Sequence, residues 1–299
     1  MDLNRELITT VVGSFPSRPS NGSLARSYFK DVDPFVESIE EAVKAQLDAG
    51  IELISDGQTR GGMVEIFAEN LKGFRMKRRP EIISNVEYRG PITVKDQSKL
   101  KNSIPKDIGL KGIITGPWTL VKSSYDLHYK DTKEAVMDTA EALRSEAVEL
   151  SKICDVVQID EPFLSIESAS YVKEALEKVF PSDTTTKLHV CGDVKNIAEE
   201  LIEIDVDILD HEFAANPKLF ETYKDLSFSQ RLSVGVVTTE PLVEDVGIIK
   251  QRIEKAVNNF GMNILIDPDC GLRNLDKETA FKKLKNMVKA RDVVFDERS

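Results

Sequence analysis

Two residues at the end of an apolar run have the types and the spacing of metal ligands. The stretch Leu188-His189-Val190-Cys191-Gly192 places an imidazole and a thiol two residues apart, where a strand is predicted to end. Side chains at i and i+2 leave a strand on the same face, so His189 and Cys191 can point at one object. Zinc is the cellular ion that most readily accepts a nitrogen and a thiolate together. The pair therefore indicates half of a zinc site.

Two further apolar runs end in possible ligands. Glu212 follows the run 206–210, and Cys270 follows the run 263–266. A His-x-Cys pair alone arises often by chance, and Glu212 alone would more often be an exposed carboxylate. Four such residues at corresponding positions are better explained together. The sequence predicts a zinc ion held by His189, Cys191, Glu212 and Cys270.

Composition and charge limit the class of protein. The chain has 299 residues, of which 41% are hydrophobic, and this is enough to bury a large core in a single domain, 1–299. Its three cysteines are too few for a disulfide framework. The formal net charge of −11 argues against nucleic acid as a partner. Since neither a signal peptide nor an apolar run of membrane-spanning length is visible, we expect a cytoplasmic protein without membrane contact.

Strand-like and helix-like patterns alternate along the whole chain. Eight strand-helix units predict a parallel sheet closed into one (β/α)8 barrel, with an open doubly wound sheet as the alternative. No Gly-x-Gly-x-x-Gly or P-loop follows the first strand, which weakens the nucleotide-binding form of that alternative. We read the irregular segment 75–105 as a hairpin inserted on one rim. The predicted strands are 7–12, 51–55, 108–114, 156–160, 186–190, 206–210, 232–237 and 263–266.

The helices between these strands have recognisable starts and stops. We expect Asp33 and Pro34 to open a helix that ends at Gly50, and Asp131 to cap a helix that runs to about Lys152. A further cap is expected at Asp276. The remaining helices are predicted at about 63–71, 171–179, 194–204, after 216 and at 243–260.

A barrel would bring the candidate ligands together, because the active site of such barrels lies where the carboxyl ends of the strands converge. Four residues that close the first four strands are predicted to line the same mouth: Ser14, Asp56, Trp118 and Asp160. Each also has a plainer interpretation, Trp118 as packing and Asp160 as part of an acidic loop. For Cys154 we expect simple burial, and for His128 and His211 exposed or hydrogen-bonded roles.

Taken in order, five motifs resemble those of a known family. They are Thr10-Val11-Val12-Gly13-Ser14-Phe15-Pro16, Gln158-Ile159-Asp160-Glu161-Pro162, His189-Val190-Cys191, Glu212, and Asp267-Pro268-Asp269-Cys270-Gly271-Leu272. The set is similar to the catalytic C-terminal barrel of cobalamin-independent methionine synthase, and the likeness runs from Thr10 to about Arg273. The chain resembles a short form of this family that lacks the N-terminal half.

The resemblance implies an activity and assigns roles. L-homocysteine would be the methyl acceptor, with Zn²⁺ on His189, Cys191, Glu212 and Cys270. Asp160 would bind the substrate ammonium group, while Ser14 and the backbone of Val12 contact the amino acid and Trp118 lies near the methyl donor. Glu212 is the ligand that would yield its place, because a carboxylate binds zinc less firmly than a thiolate does. Asp160 and Glu212 are therefore also candidate catalytic residues.

The chain departs from the family pattern at two loops. Where the family has a glutamate after glycine, this chain has Asp56-Gly57-Gln58, so either Asp56 or Gln58 is the expected substrate contact. Where the long form has a catalytic histidine, this chain has Thr238-Thr239-Glu240-Pro241, which makes Glu240 a candidate catalytic residue. The missing half helps hold a polyglutamyl folate in the long form, and a separate chain is a candidate replacement for it.

The missing histidine bears on the methyl donor. A folate leaving group must be protonated as it departs, whereas Co(I) leaves a methylcorrinoid without taking a proton. We therefore favour a methylcorrinoid, free as methylcobalamin or bound to a corrinoid protein, over methyltetrahydrofolate as donor to homocysteine. Two other classes remain open at this point: a zinc methyltransferase acting on another thiol, and a noncatalytic barrel with structural zinc.

Overall fold

The computed structural model describes residues 1–30 and 32–298 and confirms the predicted (β/α)8 barrel. The strands are β1 (Ile8–Thr9), β2 (Leu53–Ile54), β3 (Lys72–Arg75), β4 (Glu81–Glu87), β5 (Gly109–Thr115), β6 (Tyr125–Asp126), β7 (Val156–Asp160), β8 (Thr185–His189), β9 (Ile208–His211), β10 (Arg231–Val237) and β11 (Leu265–Pro268). The helices are α1 (Asn21–Lys30), α2 (Val36–Ala49), α3 (Met63–Ala68), α4 (Val94–Ser103), α5 (Pro117–Lys122), α6 (Thr132–Ser151), α7 (Val172–Val179), α8 (Ala198–Leu201), α9 (Leu219–Lys224), α10 (Val246–Phe260) and α11 (Lys277–Arg298).

Eight strands close into a ring. Their order is β1-β11-β10-β9-β8-β7-β5-β2, and the paired neighbours run parallel. A parallel bridge between Thr10 and Leu53 joins the two ends of this order. A doubly wound sheet would leave those ends as open edges, so that alternative is wrong.

Side chains inside the ring form layers, because every second residue of a strand points inward. The base layer is an apolar cluster of Ile8, Leu53, Val156, Ile208 and Leu265. Two residues further along three of these strands, the inward side chains are polar and fully buried: Gln158, Asp210 and Asp267. The barrel is therefore sealed with hydrocarbon at its amino end and polar toward its carboxyl end.

The helices cover the outside of the ring with their apolar faces. In α2, Ile39 and Val43 are buried and the helix ends at Gly50, whose φ of +91° is a conformation that favours glycine. Its start differs from the prediction, since α2 begins at Val36 and the Asp33 carboxylate pairs with Arg60. Within residues 1–30 and 32–298, no helix is both long and apolar enough to cross a membrane.

The segment predicted as an inserted hairpin, 75–105, is a hairpin only in its first part, since its second part forms the helix α4. The hairpin pairs β3 with β4 in antiparallel register and gains a third strand, β6, beside β4. Most of the rest of the insertion is α4, which packs against β5 and α6 as an outer helix of the barrel. Its sequence, Val-Lys-Asp-Gln-Ser-Lys-Leu-Lys-Asn-Ser, has too few apolar residues to show a helical stripe.

Three other helices also differ from the prediction. Helices α1 and α5 were not predicted, and both are short segments in loops that follow barrel strands. The helix expected at 194–204 is reduced to a 3-10 turn, Lys195–Ile197, and the single turn of α8.

The cap at Asp131 is confirmed, since its side chain accepts a hydrogen bond from the Lys133 N–H. Helix α11 begins directly after Asp276, whose side chain accepts from the Thr279 N–H.

A buried carboxylate ties the loop after β10 to the outer helices. Glu244 accepts hydrogen bonds from the backbone and hydroxyl of Thr238 at 2.9 and 2.8 Å, and it pairs with the fully buried Lys283 at 2.5 Å. Burial opposes ionisation, but the hydrogen bonds from Lys283 and Thr238 lower the pKa of Glu244 to about 2. The pair therefore links this loop to α11 as an ion pair.

We predict that Glu244→Ala lowers the free energy of unfolding by about 3–5 kcal/mol, because it leaves a buried lysine without its carboxylate. Urea unfolding at pH 7 measures the loss. The pKa of Glu244 is depressed from 4.5 in the folded state, so its contribution is present above pH 4.5 and fades as the pH falls toward about 2. The difference between wild type and variant should shrink over that range.

The control is Glu240→Ala, which removes an exposed carboxylate from the same loop. It should change the free energy of unfolding by no more than about 0.5 kcal/mol. Equal losses in the two variants would contradict the importance of the pair between Glu244 and Lys283.

Candidate active site

The structure brings three of the four predicted metal ligands together. His189 ends β8, Cys191 lies two residues beyond it, and Cys270 follows β11 on the far side of two intervening strands. One ligand atom from each of these residues lies within 4.8 Å of the other two. Residues 81 positions apart in the sequence thus meet at one point, because both strands end at the same mouth of the barrel.

The environment of His189 fits a metal ion. Its Nδ1 lies 3.0 Å from Oδ2 of the buried Asp210. Its Nε2 is also buried and has no hydrogen-bond partner among the described residues. A metal-ligating imidazole characteristically presents one nitrogen to a carboxylate and the other to the ion. An unsatisfied buried nitrogen beside two thiols is the arrangement that zinc would satisfy.

The carboxylate of Glu212 is not part of this group of three. Glu212 directly follows β9 and is partly buried, and burial raises its pKa against a backbone hydrogen bond from Gly192. Its role as the fourth ligand stays a prediction. The structure does connect its loop to both thiol-bearing segments: Asn216 donates to the Gly192 carbonyl at 3.3 Å, and Asp269 accepts from the backbone of Ala214 and Ala215.

A cavity of about 210 Å³ opens beside the three ligands. It is smaller than the roughly 300–1,000 Å³ of pockets for drug-sized ligands, so it suits a small substrate. A cavity of about 470 Å³ lies elsewhere, between α7 and α8, and its lining contains neither a cysteine nor a histidine. The predicted site residues therefore gather at the smaller cavity, which is lined by Val12, Ser14, Gln58, Met63, Asp160, Pro162, His189, Cys191, Cys270, Gly271, Arg273 and Asn274.

Asp160 supplies a buried carboxylate to this cavity. Its Oδ1 accepts a hydrogen bond of 2.6 Å from Nε2 of Gln158, and the same nitrogen donates to the Val12 carbonyl at 2.8 Å. Burial raises the pKa of Asp160. Asp160 is also the register partner of His189 across β7 and β8, so the carboxylate and the imidazole are neighbours at the barrel mouth.

Ser14 lies against the loop that carries Cys270. The Leu272 N–H donates to the Ser14 carbonyl at 2.8 Å, and a Cβ at Gly271 would lie 2.1 Å from the Ser14 hydroxyl oxygen. Only glycine at 271 therefore leaves that hydroxyl in its observed position. The close approach joins the loop after β1 to the loop after β11.

Between the two alternatives in the loop after β2, Gln58 lines the cavity and Asp56 does not. The Asp56 carboxylate instead accepts from the Gln58 N–H at 2.8 Å, and burial raises the pKa of Asp56 to about 6. Gln58 has a φ of +46°, which is uncommon for a residue other than glycine. Asp56 thus shapes the turn that directs Gln58.

Two predicted site residues lie outside the cavity lining. Trp118 is 2% exposed, and its indole N–H donates to the Glu167 carbonyl at 2.8 Å. Glu240 is exposed in the loop after β10, where Glu244 is the buried carboxylate. Their proposed roles with the methyl donor and in catalysis stay predictions.

Three residues with plain expectations behave as expected. Cys154 is buried, and burial raises the pKa of its thiol to about 12. His211 is buried with its nitrogens 3.1 Å from the Val190 carbonyl and 2.8 Å from the Tyr223 hydroxyl. His128 is exposed beside Asn85. None of these three lines the cavity.

Four ionisable residues beneath the site were not among the predicted site residues. Lys111, Lys187, Asp210 and Asp267 are fully buried inside the barrel. A signal was present, since a lysine stands inside each of the predicted strands 108–114 and 186–190. A charged residue at an inward position of a buried strand requires a partner, and that requirement predicts a polar interior. Arg273, which lines the cavity, was also missed.

The fold and the site together define a (β/α)8 barrel with one imidazole and two thiols, which could hold a metal ion, at the mouth formed by the carboxyl ends of its strands. The family model described as the catalytic domain of cobalamin-independent synthases matches residues 7–292. The chain belongs to this family, as the motifs predicted.

Curated relatives support the same assignment. A methionine synthase of Methanocaldococcus jannaschii is 40% identical, over 96% of this chain and 99% of that protein. A methionine synthase of Saccharolobus solfataricus is 33% identical, over 97% and 96%. Among solved structures, a B12-independent methionine synthase from Shewanella sp. W3-18-1 in complex with selenomethionine has a TM-score of 0.84 at 22% identity, covering 98% of this chain and 99% of that one. The last likeness concerns the fold.

We predict that Asp269→Ala loosens the loop that carries Glu212. Asp269 accepts from the N–H groups of Ala214 and Ala215 at 3.0 and 2.8 Å, and each such hydrogen bond contributes about 0.5–1.5 kcal/mol. Hydrogen exchange of these two amides should become about 10–100-fold faster. Asp225→Ala, which removes an exposed carboxylate at the end of α9, is the control. Unchanged exchange in Asp269→Ala would contradict the tether.

Proposed function

We propose that the protein transfers a methyl group to the sulfur of L-homocysteine and so forms methionine, with zinc held by His189, Cys191, Cys270 and Glu212. The observation that carries the proposal is the convergence of the His189, Cys191 and Cys270 ligand atoms within 4.8 Å beside a small cavity that holds a buried carboxylate. Membership of the cobalamin-independent synthase family supports the same reaction.

The ligand types match the chemistry that the reaction requires. A free thiol of the cysteine kind has a pKa of about 8.5, while the attacking species must be a thiolate. Bound zinc would supply that deprotonation at neutral pH. Two cysteine thiolates and the Glu212 carboxylate bring enough negative charge to keep the substrate sulfur electron-rich, and Asp210 fixes the tilt of the His189 ring from behind.

The cavity offers a complementary group for the amino-acid end of homocysteine. Asp160 would accept the ammonium group, since its Oδ1 is already held by Gln158 and the carboxylate lines the cavity. The Ser14 hydroxyl and the backbone of Val12 would complete the contacts at that end, and Gln58 also lines the cavity. Because Asp160 and His189 are register partners, the ammonium site adjoins the metal ligands.

The donor that we favour is a methylcorrinoid. Of the chain's three histidines, only His189 lines the cavity, while His128 is exposed just after β6 and His211 is buried elsewhere. The cavity thus lacks an additional imidazole that could protonate a departing folate nitrogen. A Co(I) leaving group takes no proton, so a methylcorrinoid is compatible with these residues. Methyltetrahydrofolate is the alternative donor.

The decisive experiment is a donor screen on zinc-loaded protein with homocysteine, in which methionine is quantified. We expect turnover with methylcobalamin and background rates with methyltetrahydrofolate, because His189 is the one imidazole in the cavity lining and, as a zinc ligand, it would not protonate the folate. Turnover with methyltetrahydrofolate alone would reverse the choice of donor. Methylation of a coenzyme thiol in place of homocysteine would contradict the proposed acceptor, and no methylated thiol with either donor would contradict the proposed function.

Variants of the ligands test the metal site separately. Cys191→Ser and Cys270→Ser should each lose zinc and turnover, since a serine hydroxyl does not replace a thiolate ligand. Glu212→Gln should retain zinc on the other three ligands but lose about tenfold or more of the rate. Metal analysis and methionine formation are the measurements. Cys154→Ser is the control, because Cys154 is buried away from the cluster and should leave the zinc content unchanged. Normal zinc content in both Cys191→Ser and Cys270→Ser would exclude this zinc site.

A further inference from the structure

Two lysines lie fully buried inside the barrel, directly beneath the candidate site. Lys111 is on β5 and Lys187 is on β8, and both have a relative exposure of 0%. An ammonium group or amine without partners in such a place would destabilise the fold by several kcal/mol. The contacts of the two lysines therefore indicate their roles. One lysine contacts groups beside the predicted metal ligand His189, and the other contacts groups beside Asp160.

Lys187 is connected through Asp210 to the predicted metal ligand His189. Its Nζ lies 2.9 Å from Oδ2 of Asp210, 2.8 Å from Oδ2 of Asp267 and 2.9 Å from the Ser233 hydroxyl. The same Oδ2 of Asp210 lies 3.0 Å from Nδ1 of His189. A single carboxylate oxygen is thus shared between the lysine and the imidazole. Lys187 fixes the position of that oxygen, and the oxygen fixes the ring.

Lys111 is connected through Gln158 to Asp160, the carboxylate that is proposed to bind the substrate. Its Nζ donates to Oε1 of Gln158 at 2.6 Å and to the Val11 carbonyl. With its oxygen taken up by Lys111, the Gln158 amide must present its nitrogen to the other side, where Nε2 donates to Asp160 and to the Val12 carbonyl. The lysine therefore selects one of the two amide orientations of Gln158.

We propose that Lys111 and Lys187 are positioning residues for two separate halves of the site: Lys187 acts through Asp210 on the zinc ligand His189, and Lys111 acts through Gln158 on Asp160 and Val12. The second half rests on the proposed function, because it concerns homocysteine. The first half concerns only the affinity for zinc.

The two halves have different physical consequences. A carboxylate on Nδ1 raises the basicity of the imidazole and holds its orientation, and loss of such a partner typically weakens metal binding by about 10–100-fold. A flipped Gln158 amide would turn its oxygen toward the Asp160 carboxylate, and repulsion between the two oxygens would move the carboxylate that is proposed to bind the ammonium group. Neither lysine needs to touch zinc or substrate for these effects.

The metal half is tested by competition for zinc against a chromophoric chelator. Asp210→Asn preserves the shape of the side chain, and Lys187→Met removes the buried amine. Both should weaken zinc binding by about 10–100-fold. Asp210→Asn decides the question if Lys187→Met does not fold. Unchanged zinc affinity in Asp210→Asn would overturn this half of the proposal.

The substrate half is tested by calorimetric titration of zinc-loaded protein with homocysteine. Lys111→Met should raise the dissociation constant about tenfold, the equivalent of one hydrogen bond, while zinc affinity stays unchanged. Gln158→Leu should act in the same direction and decides the question if Lys111→Met does not fold. Asp160→Asn shows how much the dissociation constant of homocysteine rises when the carboxylate itself is lost. Unchanged homocysteine affinity in Gln158→Leu would overturn this half.

Lys283→Met is the matched control, because Lys283 is a third fully buried lysine but pairs with Glu244 away from the site. It should lower stability without changing either affinity. If it lowers both affinities as much as the other two substitutions do, the lysines are structural only and the proposal is wrong. If wild-type protein binds zinc but no homocysteine, the proposed function fails together with the substrate half, while the zinc titration still decides the metal half.

Discussion

The burial of charged groups inside the barrel is the constraint on which the rest of the structure depends. Lys187 is fully buried and is stable there because Asp210 and Asp267 lie within 2.9 Å of its Nζ. Those carboxylates are held in turn by the strands on which they stand. The barrel must therefore close with this register, since a shift by one residue would turn the lysine outward and leave the carboxylates unpaired.

The layered interior connects this constraint to the chemistry. Hydrocarbon side chains close the base of the barrel, the buried lysines and aspartates lie above them, and the predicted metal ligands and Asp160 occupy the mouth. Groups of the middle layer lie against those at the mouth, since Gln158 donates to Asp160 and Asp210 lies 3.0 Å from His189. Such preorganisation is what a reaction that must align a sulfur atom with a methyl donor requires.

The loops at the mouth are joined to one another as well as to the strands. Gly271 packs against Ser14, and Asp269 holds the loop that follows β9. Gly235 lets that contact form, because a Cβ there would lie 2.3 Å from the Asp269 carboxylate. Glycines at these two positions thus allow segments that are distant in the sequence to approach closely around the cavity.

The sequence by itself determined the barrel, the strand order along the chain and the candidate metal ligands His189, Cys191 and Cys270, because alternation of residue types and spacing within a strand are local properties. It did not reveal α4, whose apolar residues are too few to form a stripe, nor the choice of Gln58 over Asp56 at the cavity. Only the tertiary structure decided which groups meet beneath the mouth. Lys187 and its partners Asp210 and Asp267 lie on three different strands, and closure of the barrel is what brings them within hydrogen-bonding distance.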